Sequence, residues 1–296
     1  MISAHTITVP IRYDECDMYG HVNHASYLRY MQEAAFAASA AVGYDAARYE
    51  ALNRAWLVRE SDVEYLLPLR YGDTVDVKTW VADFRRVRSR RAYELRRSGN
   101  NALAARAMTD WIFIDRATQR PVSIPQEVAV AYLPDGAPRD VPARQPFPEA
   151  PPPPPGIFRQ QRRVQWSDVD PTQHVNNAVY LSYLEDCAVR DAVSRGWPMH
   201  RMIEEGGFAI VARRYRIEYR RQALLDDELE IATWISDVKR VTAVRHYTIR
   251  RSGDDELVAR AWALWVWVNI DTGRPIRIPD NFAIDFAPNI VGAATQ

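Results

Sequence analysis

A twelve-residue phrase occurs twice in this chain, and its repetition limits the folds that the chain can adopt. DMYGHVNHASYL begins at Asp17, and DPTQHVNNAVYL begins at Asp170, about 153 residues later. Other stretches repeat at nearly the same offset, since LRRSGNNALAARA from Leu95 parallels IRRSGDDELVARA from Ile249. Such a long unit is not a solenoid repeat, whose period is about 20–50 residues. The sequence therefore predicts a duplicated domain, and its 296 residues are enough for two copies.

A proline-rich stretch separates the two copies. Residues 134–156 read PDGAPRDVPARQPFPEAPPPPPG. This composition favours extended polyproline conformation and is typical of a semi-rigid spacer. We therefore expect a first domain at 1–133, a linker at 134–156 and a second domain at 157–296.

Each half has the same predicted order of elements. A short strand is expected at 5–13 and again at 158–166, before the repeated phrase. After the phrase, residues recur at spacings of three and four, which marks one face of a helix: Tyr27, Met31, Ala34 and Ala38, then Tyr180, Leu184 and Cys187. Asp191 takes the next position and interrupts the apolar face. Later runs alternate with period two, as strands with one buried face do. The prediction is an α+β fold in which one long helix covers a curled antiparallel sheet of about five strands per half.

The composition argues against several classes of function. Lys and Arg number 38, and Asp and Glu also number 38, so the zero net charge gives no reason to expect nucleic-acid or anionic-membrane binding. The chain has no run of about 18 apolar residues, and its first residues do not show a charged region followed by an apolar one, so we expect neither a membrane-spanning nor a secreted protein. Cys16 and Cys187 occupy non-equivalent places, which argues against a disulfide framework and for a cytoplasmic location. No G-x-G-x-x-G loop follows a strand, so no redox cofactor is expected.

The repeated phrase carries residues suited to acyl chemistry. An Asp is followed four residues later by His and six residues later by Asn, where a helix is predicted to begin. Backbone N–H groups at a helix start stabilise a carbonyl oxygen that gains negative charge. A nearby carboxylate can serve as a general base for water or as a nucleophile. The candidate catalytic residues are Asp17, His21 and Asn23 in the first copy, and Asp170, His174 and Asn176 in the second.

The same residues also have simpler interpretations. Either Asp can be a loop or capping residue, either Asn suits an N-cap position, and either His can be a hydrogen-bonded loop residue. His21 and His24 do not indicate a metal, because Asn177 replaces the second His in the other copy and no acidic or Cys partner has a suitable spacing. The presence of both Asp and His in the two copies favours the functional interpretation, since packing alone has little need of them in a loop.

Around these residues the sequence resembles the 4-hydroxybenzoyl-CoA thioesterase-like branch of the hotdog-fold superfamily, whose loop often reads D-x-x-G-H-V-N-x-x-x-Y. The first copy matches this pattern at Asp17, Gly20, His21, Val22, Asn23 and Tyr27. The second copy, SDVDPTQHVNNAVYL, also resembles the D-x-D-x-N-Q-H-V-N-N phrase of acyl-acyl-carrier-protein thioesterases, which are themselves tandem hotdogs.

The resemblance implies two hotdog domains that form an intramolecular pseudo-dimer, with acyl tunnels at their interface. It implies an acyl-CoA or acyl-acyl-carrier-protein thioester as substrate, and a loop Asp as base or nucleophile. The expected oxyanion donors are the N–H groups near the helix start, at Gly20 and His21 and at Gln173 and His174. By the same resemblance the substrate-binding residues include Tyr27 and Tyr180.

The sequence also departs from the carrier-protein enzymes. Those enzymes have Asn two residues after the catalytic Asp, where this chain has Tyr19 and Thr172. They have Glu-Cys after E-Y-R-R, where this chain has Gln222 and Ala223. These departures favour a simpler mechanism that relies on Asp alone. Because glycine lets a backbone approach a ligand closely, Gly20 slightly favours the first copy over the second.

A basic run at 85–91 is a second candidate for substrate contact. Arg86 and Arg88 are predicted to hold the phosphates of coenzyme A or an acidic carrier protein. The alternative is a solvated strand face, since only half of a strand's residues share a side.

Glu60 is a candidate second acid near a tunnel, but a surface role is the expected one.

Three functions fit these observations. An acyl thioesterase is favoured. A hotdog hydratase or dehydratase ranks lower, because the spacing of Asp17 and His21 is one residue short of its D-x-x-x-x-H pattern. A non-catalytic acyl-thioester-binding protein is the third. Open sheet edges are also compatible with homo-oligomers of the two-domain chain.

Overall fold

The structure is a computed structural model that describes residues 4–134 and 143–292. The chain divides into two compact units, 1–146 and 147–296. This division falls inside the stretch 134–156 that was predicted as a linker, of which residues 135–142 lie outside the described residues. Among the described residues, no helix has the length and apolar character needed to cross a bilayer.

The first unit is a long helix against a five-stranded antiparallel sheet. Its elements are strand β1 (Ala4–Pro10), helices α1 (His24–Ala41) and α2 (Ala46–Ala51), strands β2 (Arg54–Tyr65), β3 (Thr74–Arg85), β4 (Arg88–Arg97) and β5 (Ala102–Asp115), and helix α3 (Gln126–Tyr132). The strands are ordered β1-β3-β4-β5-β2. The first copy of the repeated phrase begins in the loop between β1 and α1 and ends in the first turns of α1.

The second unit repeats this arrangement. Its elements are β6 (Phe158–Arg163), α4 (Val179–Ser194), β7 (Phe208–Tyr219), β8 (Glu228–Ser236), β9 (Thr242–Arg251), β10 (Leu257–Asn269) and α5 (Asp280–Phe286). The strands are ordered β6-β8-β9-β10-β7 and all neighbours are antiparallel. The prediction of an α+β hotdog arrangement in each half is therefore confirmed.

The predicted helix face is buried in both units. In α1 the four residues at spacings of three and four are all core residues: Tyr27, Met31, Ala34 and Ala38. In α4, Asp191 is also fully buried, although it breaks the apolar pattern. Its carboxylate pairs with Arg195 and Arg245, with N–O distances of 2.7 Å each. The interruption of the pattern thus marks a buried ion pair rather than the end of the helix face.

The first strand of each unit is shorter than predicted. β1 ends at Pro10 and β6 ends at Arg163, because short 3-10 turns follow at Tyr13–Glu15 and Trp166–Asp168. Within the first turn, Glu15 accepts the backbone N–H of Arg12 at 2.9 Å. The N–H of Arg12 therefore bonds a side chain and not the backbone of a neighbouring strand, and the chain turns away from the sheet.

The described part of the proline-rich stretch packs against the sheets. Arg144 donates to Glu60 at 2.6 Å and to Asp110 at 2.5 Å, and both carboxylates are buried. In the second unit, Phe147 lies under the guanidinium of Arg260, 4.6 Å from ring centroid to guanidinium carbon. The expected surface role of Glu60 is therefore wrong, because Arg144, 84 residues later in the chain, covers and neutralises the carboxylate.

A buried histidine makes the stability of the second unit dependent on pH. His246, on β9, is 3% exposed, and its Nε2 lies 2.8 Å from Ser236 Oγ. Burial lowers the pKa of His246 to about 4, from an ordinary value of 6.5. The folded state therefore favours the neutral imidazole, whereas the unfolded chain binds the proton at higher pH.

We predict that this histidine lowers the free energy of unfolding as the pH falls from 6.5 to 4. The loss attributable to it approaches about 3 kcal/mol, because the unfolded state gains the proton first. Urea unfolding of wild type and His246→Gln at pH 7, 6, 5 and 4 measures it as the difference between the two profiles. Parallel profiles would show that His246 does not titrate differently in the two states.

Candidate active site

The loop between β1 and α1 fixes the carboxylate of Asp17. Its Oδ1 accepts the N–H groups of Tyr19 at 2.9 Å and His21 at 3.2 Å. The backbone closes the same loop, since Asp17 N–H donates to the carbonyl of His21 at 2.8 Å and Gly20 N–H donates to the carbonyl of Asp17 at 3.0 Å. The half-buried carboxylate is thus held in one orientation directly before the helix.

Both loops place one residue in the left-handed region. Gly20 has a φ of 70° and Gln173 has a φ of 66°. A Cβ built at Gly20 would meet only Arg70 Nη1, at 3.9 Å, so the space beside Gly20 is open. Glycine adopts this backbone without strain, whereas Gln173 adopts it against the preference of its Cβ. The two loops therefore share a backbone and differ in their side chains.

The helix starts are capped by the predicted asparagines in slightly different ways. Asn23 is the N-cap of α1, and its Oδ1 accepts the N–H of Ala25 at 2.9 Å. Asn176 makes the same bond to Ala178 at 2.9 Å, but α4 begins at Val179. The N-cap prediction is confirmed for Asn23 and is two residues early for Asn176.

Three of the four N–H groups expected to hold the thioester oxygen are bonded within the loops. Gly20 and His21 donate to Asp17, and Gln173 donates to the carbonyl of Asp170 at 2.8 Å. In this structure they close the turn. Two sources of positive potential lie beside Asp17: the start of α1, an 18-residue helix whose partial positive charge lies at His24, and the guanidinium of Arg70 next to His21.

His21 is held as a neutral ring. Its Nε2 lies 2.9 Å from Arg70 Nη2, and a guanidinium can only donate, so Nε2 accepts and the ring proton lies on Nδ1. Burial and the charge of Arg70 lower the pKa of His21 below its ordinary value. His21 is therefore suited to hold the loop and not to donate a proton from Nε2.

In the second loop, hydrogen bonds link the equivalent side chains through Thr172. Asp170 Oδ1 accepts both the N–H and the hydroxyl of Thr172, and Oδ2 accepts the amide of Asn176 at 3.1 Å. His174 Nε2 lies 2.9 Å from the same Thr172 hydroxyl. In the first loop Tyr19 takes the place of Thr172 and has no hydroxyl on its β-carbon. The two loops therefore differ in the side chain that stands two residues after the Asp.

A buried carboxylate that was not among the predicted site residues supports each loop. Glu15 accepts the hydroxyl of Tyr30 at 2.7 Å, and Asp168 accepts the hydroxyl of Tyr183 at 2.7 Å. Both carboxylates are buried, and each pair fastens the turn before the loop to the long helix. The signal was present in the repeat, since an acid and a tyrosine fifteen residues apart occur in both copies.

Tyr27 and Tyr180 lie on the buried faces of α1 and α4. Tyr27 is 3% exposed and its hydroxyl bonds to the backbone at Leu69. The hydroxyl of Tyr180 accepts the N–H of Ala223 at 3.3 Å. Burial raises the pKa of both tyrosines. In this structure each tyrosine ties the segment after its neighbouring strand to the long helix, which is a packing role.

Arg86 and Arg88 are far from the loop of their own unit. Both are exposed, at the turn between β3 and β4. Pro10, before the loop, pairs with Thr74 at the opposite end of β3. A twelve-residue strand is about 40 Å long. The structure does not bring these arginines to Asp17.

Comparison with known proteins supplies the family. The model of the thioesterase-like superfamily matches residues 11–132 and 164–286. A chloroplastic acyl-[acyl-carrier-protein] hydrolase of Cuphea viscosissima is 29% identical over 132 residues, which cover 44% of this chain and 32% of that protein. The chain thus spans about a third of the length of this curated relative.

Two further proteins show the range of the similarity. The long-chain acyl-CoA thioesterase of Escherichia coli is 27% identical over 124 residues, which cover 41% of this chain and 90% of that protein. The solved structure of a 12:0-ACP thioesterase from Umbellularia californica shares the fold, with a TM-score of 0.72 at 20% identity, over 88% of this chain and 93% of that one. The family model matches both halves of this chain, and the chain belongs to the thioesterase-like superfamily.

Proposed function

We propose that this protein hydrolyses acyl thioesters, with Asp17 as the general base. The observation that carries the proposal is the fixed carboxylate of Asp17, held by two loop N–H groups directly before the N-cap of α1. Membership of the thioesterase-like superfamily supports it. The names of the relatives add support, because they act on acyl-carrier-protein or acyl-CoA thioesters.

The proposed reaction consumes one water and one thioester. Asp17 accepts a proton as the water oxygen attacks the acyl carbon, and the positive end of α1 stabilises the oxygen that becomes negative. The carbon–sulfur bond then breaks, and the proton leaves with the thiolate as free thiol. The products are a carboxylic acid and a thiol. His21 and Asn23 position the loop and the helix start.

The second loop serves this proposal less well. Gln173 takes the left-handed position that Gly20 has in the first loop, so its side chain lies where the space beside Gly20 is open to a ligand. Both copies depart from the carrier-protein enzymes, with Tyr19 or Thr172 where those enzymes have Asn, so this departure does not separate the two loops. We therefore assign the chemistry to Asp17 and regard the carrier as coenzyme A or an acyl carrier protein.

Cys16 and Cys187 form no disulfide, which supports a cytoplasmic location. The formation of homo-oligomers stays a prediction.

We predict free-thiol release from at least one member of a panel of short, long and aromatic acyl-CoAs and the matching acyl-acyl-carrier-proteins. A thiol-reactive chromophore follows release, and chromatography of the acid confirms equal amounts of the two products. An enoyl-CoA, followed by its absorbance, controls for hydration. Absence of release from every member would overturn the proposal, and binding of the same acyl-CoAs without turnover would then identify a binding protein.

A further inference from the structure

The first unit contains a buried arginine that pairs with no carboxylate of the described residues. Arg91, on β4, is 6% exposed. Its side chain makes one hydrogen bond within residues 4–134 and 143–292, to Thr79 Oγ1 at 3.4 Å, and no carboxylate of those residues forms an ion pair with it. Its guanidinium carbon lies 5.5 Å from the centroid of the Tyr132 ring. A guanidinium keeps its charge and offers five N–H donors, so a buried one requires an acceptor.

The second unit shows which acceptor this position takes. Arg245 is the counterpart of Arg91, since it bonds Thr233 Oγ1 at 3.4 Å and lies 5.7 Å from the ring of Phe286. Here the carboxylate of Asp191 lies 2.7 Å from Arg245 Nη1. The residue of α1 at the position of Asp191 is Ala38, which is buried and has no acceptor. The first unit therefore keeps the cation and its ring but lacks the carboxylate.

The surroundings of Arg91 differ from those of Arg245 in the same direction. Tyr132 Oη lies 2.5 Å from Ser39 Oγ and 3.0 Å from Tyr49 Oη. The second unit has Ala192, Met202 and Phe286 at these three positions, all without hydroxyls. Around Arg91 the first unit thus combines aromatic rings, three hydroxyls and a cation that pairs with no carboxylate of the described residues, and these groups suit an anionic end on an apolar chain.

The position of this lining relates it to the candidate active site. Ser39 is sixteen residues after Asn23, the N-cap of α1, which is about 24 Å along the helix. A group held at Arg91 is therefore far from the bond that Asp17 acts on, at the other end of the same helix. An acyl chain with its thioester at Asp17 can reach Arg91 only with its terminal atoms.

We infer that Arg91 binds the terminal carboxylate of an acyl group, so that the first unit accepts ω-carboxyacyl thioesters, the thioesters of α,ω-dicarboxylic acids. This inference rests on the proposed function for the reaction but not for binding. The carboxylate of the ligand takes the place that Asp191 occupies in the second unit, and two N–H donors of Arg91 bond it.

Binding probes that cannot be hydrolysed at a thioester test the inference without turnover. The probes are monomethyl decanedioate, which has one free carboxylate, and methyl decanoate, which has none. Calorimetry with wild type is expected to show binding of the monomethyl ester at least tenfold tighter than binding of methyl decanoate. Acetate and phosphate are titrated in parallel to separate a chain with an anionic end from a small anion.

Two variants remove the preference by different routes. Arg91→Gln removes the cation, and Ala38→Asp supplies the internal carboxylate that the second unit has. Both are expected to bind the two probes equally, and Ala38→Asp is expected to raise the unfolding midpoint because it completes the ion pair. A preference retained in both variants, equal binding of the two probes by wild type, or acetate and phosphate that bind as tightly as the monomethyl ester overturns the inference.

A kinetic series separates this inference from the proposed function. Wild type is expected to have a lower KM for ω-carboxyacyl-CoAs than for acyl-CoAs of equal length, and Ala38→Asp is expected to lose that difference. If no thioester is hydrolysed but the binding preference holds, the proposed reaction is wrong and the ligand class stands. If all thioesters are hydrolysed without preference, the reaction stands and the ligand class is wrong.

Discussion

Asp17→Asn is expected to lower kcat/KM for thioester hydrolysis by about 10²–10⁴-fold, the usual contribution of a general base. The amide oxygen of Asn can still accept the N–H groups of Tyr19 and His21, so the loop and its backbone remain. What the substitution removes is the capacity to take a proton from water. The measurement is the initial rate of thiol release, with the best acyl substrate of the panel.

Asp170→Asn is the matched control, because the chain contains the equivalent loop a second time. We expect its kcat/KM to stay within about tenfold of wild type, since the proposal assigns no proton transfer to Asp170. The reverse result, with activity lost in Asp170→Asn alone, would move the reaction to the second loop. Retention of full activity in both variants and in their combination would show that neither carboxylate is the base.

The repeat and the periodicity were sufficient to predict the fold of each half. The helix face at Tyr27, Met31, Ala34 and Ala38 and the alternation along β3 and β5 reflect burial on one side, which a sequence records directly. The ends of β1 and β6 were missed, since they depend on the carboxylates of Glu15 and Asp168 bonding the backbone of Arg12 and Gln165. Such a bond leaves no periodic trace.

The candidate site was predictable in its residues but not in its hydrogen bonds. Asp17, His21 and Asn23 do lie in one loop before α1, as their spacing indicates. The spacing cannot show that the N–H groups of Gly20 and His21 are taken up by Asp17, because that depends on the left-handed backbone at Gly20. Arg86 and Arg88 were grouped with the site by charge alone, and only the strand register shows how far away they lie.

Asp191→Ala is expected to destabilise the second unit by about 3–5 kcal/mol, the usual cost of breaking a buried ion pair by removing one partner. Asp191 is fully buried, and it is bonded to Arg245, which is 8% exposed, and to Arg195. Without the carboxylate, the guanidinium of Arg245 stays below α4 with the long bond to Thr233 Oγ1. The free energy of unfolding in urea, with the same protein at neutral pH, measures the loss.

The double variant Asp191→Leu/Arg245→Met shows whether the loss comes from the orphaned charge. It removes both partners and fills their volume with apolar atoms, so most of the stability is expected to return, because replacing a buried pair by packed hydrophobic residues is often neutral. A double variant as unstable as Asp191→Ala would indicate that packing around α4, not the unpaired arginine, sets the cost. The first unit has Ala38 at the position of Asp191, so the size of the loss in Asp191→Ala measures what a carboxylate contributes at this position of the fold.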